Sequence, residues 1–176
     1  MFCRSICAAA SLALALVAAP AAASLPAPVA AMLPALERVG QGTLRWFGLH
    51  VYDATLWAPG ARFSFDGSFV LEIRYARSIP GARLAETSAE EIARLGATDA
   101  ERLRRWEDAM RRVFPDVGAG DRLIGIHHPG RGVTFWSGSR LLGTIEDAEF
   151  ARAFFAIWLD PRTRKPDLRA ALLGRP

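Results

Sequence analysis

Cysteine is scarce in this 176-residue sequence: Cys3 and Cys7 are the only two, and both fall in the first seven residues. The remainder of the chain therefore has no disulfide, no thiolate nucleophile and no thiolate metal site. Also absent are the nucleophile elbow GxSxG, a phosphate-binding GKS or GKT loop, the dinucleotide fingerprint GxGxxG and the zinc motif HExxH. Hydrolase, kinase, nucleotide-redox and zinc-protease chemistry thus have no local signature. Of the three histidines, His127 and His128 are consecutive on a predicted strand and so point to opposite faces. They read as structural or solvent-facing, and no metal and no cofactor is expected. Lysine is almost missing as well, with Lys165 alone among 22 basic residues against 18 acidic ones. A net charge of +4 without a basic stripe interleaved with aromatics gives no nucleic-acid platform.

What the sequence has is apolar mass. Half of it (51%) is apolar, enough to offset the ordering entropy of one globular domain. Residues Met1 to Ala23 read as a secretory signal: Arg4 is the positive n-region, Ile6 to Ala19 the apolar core, and Ala21-Ala22-Ala23 the small-residue cleavage site. Cleavage is expected between Ala23 and Ser24, which makes the protein periplasmic or secreted with no membrane span after processing. Residues 24–38, with Pro26, Pro28 and Pro34, read as an extended arm, and residues 39–176 as one domain.

Within that domain, Thr43 to Phe47 and Leu49 to Trp57 predict a hairpin turning near Phe47-Gly48, and Phe69 to Tyr75 a third strand. Three-to-four spacing predicts helices from Gly81 to Gly96 and from Asp99 through Arg112. Asp121 to His128, Val133 to Ser137 and Arg140 to Ile145 return to strands. A helix capped by Asp147 then runs from Ala148 to Leu159, and a short one from Pro166 to Leu173. The order predicts an α+β fold with helices layered on one face of a large antiparallel sheet.

Polar groups among apolar neighbours single out the first hairpin. Arg45 presents a planar fork that stays charged and binds a carboxylate or enolate oxygen at two points, and Tyr52 adds a neutral donor. Tyr75 shares a strand face with Phe69, Leu71 and Ile73, so its hydroxyl needs a partner inside. Glu72 and Arg74 read as a surface ion pair, and Trp46, Trp106, Trp136 and Trp158 as core.

The hairpin VGQGTLRWFGLHVYDATLW, the passage LEIRYARSIPGARLAETSAEEIARLG, the segment FPDVGAGDRLIGIHHPGRGVTF and the ending LLGTIEDAEFARAFFAIWLDPRT together resemble the bacterial chalcone isomerase-like family. The resemblance runs from about Val39 to Leu173. It implies an open-faced β-sandwich with a ligand cleft between sheet and helices. In the plant enzymes of this fold an arginine stabilises a phenolate while threonine, tyrosine and asparagine groups organise an intramolecular oxygen addition to an enone. Related plant members without that set hold a fatty acid by an arginine and a tyrosine. Carried onto this sequence, Arg45 and Tyr52 correspond to the anion clamp. The catalytic threonine falls near Phe47, the tyrosine near Pro80 and the asparagine near Thr87, so most of the donor ring is missing.

Three readings follow. The first is an exported binding protein for a small amphipathic acid such as a fatty acid, with Arg45, Tyr52 and Tyr75 as ligand-binding residues. The second is an intramolecular lyase with Arg45 and Thr87 as catalytic candidates. The third is an envelope interaction protein without a ligand.

Overall fold

The computed structural model describes residues 24–33, 35–96 and 99–175; the expected signal sequence, residues 1–23, lies outside them. The first hairpin pairs β1 (Leu36–Trp46) with β2 (Leu49–Pro59), and β2 continues against β3 (Phe69–Tyr75). Helices α2 (Gly81–Arg94) and α3 (Ala100–Val113) follow. Then come β4 (Arg122–His128), β5 (Gly132–Ser137) and β6 (Arg140–Ile145), and after them α4 (Ala148–Leu159) and α5 (Pro166–Leu172). The six strands form one antiparallel sheet in the order β1-β2-β3-β4-β5-β6. The fold is the α+β open-faced architecture expected from the sequence.

Alternation along each strand sorts the side chains onto two faces. Leu56, Phe69, Leu71, Ile73, Tyr75, Leu123 and Phe135 meet the helices in the main core, where Phe150, Phe154 and Phe155 of α4 pack. Asp147 fixes how that helix arrives: one carboxylate oxygen accepts from the Phe150 amide at 2.8 Å and the other from the Trp106 indole at 2.7 Å. A single N-cap thereby ties α4 to α3. At the sheet edge, α5 lies against β1 where Gly40 and Gly42 leave no side chain. A Cβ at Gly40 would collide with the Ala171 carbonyl, and one at Gly42 would reach Leu168 Cδ1 at 2.7 Å.

The other face is not bare. Residues 24–38 depart from the expected extended arm: Ala27–Met32 form a helix, α1, and β1 already begins at Leu36. Pro28 sits at a first-turn position that tolerates proline. Val29 anchors the helix on Val70, Ile124 and Ile126, with Leu25, Leu33, Leu36, Trp57 and Trp136 around them. Beside this cluster Glu72 is buried, and its partner is not Arg74. The strand register sets Glu72 next to β4, where Arg122 lies 3.2 Å away and also donates to the Ser24 carbonyl at 3.1 Å. Arg74 is exposed. The pair read from sequence as a surface ion pair is thus replaced by a half-covered one under the N-terminal segment.

Candidate ligand-binding site

Register brings two of the predicted site residues together. Leu44 pairs with Tyr52, and Tyr52 with Tyr75, so the three stand side by side on the helix-facing side of the sheet. The two phenol rings meet edge to face at 6.1 Å. From α4 the Trp158 indole N–H donates to the Tyr52 hydroxyl oxygen at 2.8 Å. Burial pushes the Tyr52 hydroxyl up to about 12, partly offset by the Trp158 hydrogen bond. Tyr75 is raised further, by burial first and then by the neighbouring Tyr52. Both phenols are therefore fixed as neutral O–H donors across the physiological range. Because the indole occupies an acceptor position on Tyr52, the proton of that hydroxyl remains available to donate, and the incoming bond polarises it.

Two donors on adjoining strands within an apolar face suit an oxygen that carries negative charge, such as a carboxylate or enolate, or a carbonyl to be polarised. They offer no base and no nucleophile at neutral pH. The sequence pattern places Trp158 in the core, and the structure adds a role as a donor to Tyr52. Its indole N–H calls for an acceptor once buried, but so do those of Trp57, Trp106 and Trp136, so nothing in the sequence singles out Trp158 and only the packing of α4 brings it to Tyr52.

Arg45 is elsewhere. The pairing slips between Leu44 and Arg45, so Leu44 faces Tyr52 but Arg45 faces His50. The guanidinium is exposed and lies 3.5 Å from the Gly48 carbonyl of its own turn. Thr87 is exposed on α2, whose buried side is made by Gly81, Ala85, Ala89 and Ile92. The structure thus assembles Tyr52 and Tyr75, adds Trp158, and leaves Arg45 and Thr87 apart from them. Trp46, expected in the core, is 53% exposed.

The histidines occupy structural places. His127 is buried and stacked on Phe69 at 4.5 Å, and its Nδ1 donates to the Gly67 carbonyl at 3.0 Å. A carbonyl only accepts, so Nδ1 carries the proton. His128 on the opposite face meets Thr134 Oγ1 at 3.1 Å, which in turn meets Thr144 Oγ1 at 3.1 Å. These hydrogen-bonded groups, with Met32, Arg131 and Glu146, line an open pocket of about 240 Å³ that neither Tyr52 nor Tyr75 borders. Among the described residues no three His, Cys, Asp or Glu side chains are grouped to hold a metal, and no helix is long and apolar enough to cross a membrane.

The architecture is thus one six-stranded antiparallel sheet with helices layered on it, and a pair of tyrosines stands on its helix-facing side. The family model described as chalcone isomerase-like matches residues 22–174, and the chain belongs to that family. An uncharacterised protein of Haemophilus influenzae is 31% identical over 138 residues, covering 78% of this chain and 67% of that one. Among solved structures, an Arabidopsis thaliana fatty-acid binding protein superposes with a TM-score of 0.59 at 12% identity, over 79% of this chain and 87% of that one. At that identity the likeness concerns the fold.

Proposed function

We propose that this protein binds a small amphipathic acid, such as a fatty acid, between the sheet and α4, with the carboxylate on the Tyr52 and Tyr75 hydroxyls. The observation that carries the reading is the paired phenols, one of them held by Trp158, on the apolar inner face. Membership of a chalcone isomerase-like family, and the fold shared with a fatty-acid binding protein, support it.

Titration with a long-chain fatty acid, followed by calorimetry, tests this. Saturable binding is expected. Tyr52→Phe removes a hydrogen bond to a charged oxygen, about 1.5–3 kcal/mol, and so weakens binding roughly tenfold or more. Tyr75→Phe weakens it in the same direction without orphaning the Trp158 indole. Absence of saturable binding overturns the proposal. Acceleration of chalcone cyclisation that is lost in Arg45→Ala would replace it with the lyase reading.

We also propose export, with cleavage between Ala23 and Ser24, on the strength of the leader's three-part pattern. N-terminal sequencing of the protein from the cell envelope should begin at Ser24; a chain that retains Met1 would refute it.

A further inference from the structure

The tip of the β1–β2 hairpin breaks two local rules at once. Trp46 and Leu49 pair across a two-residue turn whose central residues, Phe47 and Gly48, both have positive φ, at 47° and 78°. Such a turn favours Asn-Gly, because a bulky side chain is strained there. Phenylalanine occupies that position, and its ring is 88% exposed, packing only edge to face on Trp46 at 5.2 Å. Trp46 and Leu49 are each 53% exposed beside it. Neither turn geometry nor core packing accounts for this phenylalanine, and three large apolar side chains share one exposed turn.

Along the hairpin tip itself the charge has one sign. No acidic residue lies between Leu44 and Tyr52, and Arg45 is exposed at the base of the turn. Lys165, the sole lysine, places its ammonium over the Trp46 ring at 4.6 Å. The nearest carboxylate along the strand, Asp53, is already engaged by Thr43 at 2.6 Å and His50 at 3.1 Å. An apolar wedge with tryptophan at its shoulder and cations behind it matches the layering of a lipid surface: acyl chains, the headgroup boundary where indole settles, then anionic phosphates.

We propose that the β1–β2 hairpin tip is a membrane-docking element that inserts Phe47, with Trp46 and Leu49, into an anionic phospholipid surface while Arg45 and Lys165 meet the phosphates. This does not depend on what the tyrosine site holds. Docking is superficial: the wedge is one turn deep, and removing a single ring from the lipid is felt in full.

The test is flotation with vesicles of phosphatidylcholine, with and without phosphatidylglycerol, using protein purified from the envelope. Wild type and variants share one N-terminus, so any contribution from residues 1–23 cancels. Wild type should float with the phosphatidylglycerol vesicles, and less so at high salt. Phe47→Asn installs the residue the turn prefers, so its unfolding temperature should hold or rise while vesicle binding falls roughly tenfold or more, the factor carried by one phenylalanine ring. Leu49→Gln should weaken binding in the same direction, and Lys165→Gln should blunt the preference for phosphatidylglycerol. No flotation of wild type, or flotation of Phe47→Asn equal to wild type, overturns the proposal. So does a wild-type dimer in sedimentation that Phe47→Asn converts to monomer, because the tip would then be an interface between two copies.

Discussion

His127 shows how a single buried ring imposes a pH dependence. Burial holds its pKa below the ordinary value of 6.5, more strongly than the Gly67 hydrogen bond raises it. The unfolded chain therefore binds a proton that the folded chain refuses. Stability is complete above about pH 6.5 and falls as the pH drops from there towards the depressed folded value. His128 is lowered as well, by burial and then by Arg131, and adds to the same slope. His127→Phe preserves a ring against Phe69 but cannot titrate. Urea unfolding of that variant between pH 7 and pH 5 should show a shallower loss of stability than wild type, with a residual slope from His128. A variant as acid-sensitive as wild type would place the effect elsewhere. At the same scale, strict alternation along β3 put Tyr75 on the apolar face with Phe69, Leu71 and Ile73, whereas Tyr52 stood out only as a polar group among apolar neighbours, and its place beside Tyr75 comes from the strand register. The place of Arg45 was not legible, because the bulge after Leu44 breaks the period of two. Trp46 misled for a different reason: burial favours apolar residues but does not require them to be buried.

Among the elements, periodicity sufficed for the second and third strands and for α2, α3 and α4, where apolar spacing and caps agree. It failed for the first half of β1. The stretch LERVGQG carries no β-branched run, and it is a strand because β2 pairs with it on one side and α5 lies across its glycines. That reason predicts an experiment. Gly40 is flanked so closely by the Ala171 and Leu172 backbone that a methyl group must push α5 away, and backbone cannot yield as a side-chain tip can. Gly40→Ala should cost about 1–3 kcal/mol in chemical denaturation, as overpacking does. Gly42→Ala meets mainly the Leu168 side chain and should cost less. Equal and negligible losses would mean that α5 is held by its own contacts rather than by the glycine groove. Since Lys165 is the N-cap residue of α5, displacing the helix should also loosen the cation over Trp46 at the hairpin tip.

At the scale of the whole molecule the two faces of the sheet are unequal in what holds them covered. The inner face buries a continuous aromatic core under four helices. Among the described residues the outer face has α1 as its only helix, six residues long and too short to persist without its packing. Val29 is fully buried there, a gain of about 1.5–3 kcal/mol, and Arg122 adds a tether to the Ser24 carbonyl. Against this, the indole N–H groups of Trp57 and Trp136 are buried in the same layer without an acceptor among the described residues. Each such orphan costs about 1–3 kcal/mol, which opening the cover to water would return. The balance makes α1 the least costly part of the fold to release, as a unit distinct from the sheet. Hydrogen exchange should therefore find the Val29 and Ala30 amides, both bonded to the Pro26 carbonyl, exchanging far faster than those of β3. Val29→Ser should speed them further while leaving the exchange of β3 and the main unfolding transition almost unchanged. If the α1 amides instead exchange only with β3, the N-terminal helix unfolds with the core, and Arg122 with Glu72 must bind it more firmly than its one buried side chain implies.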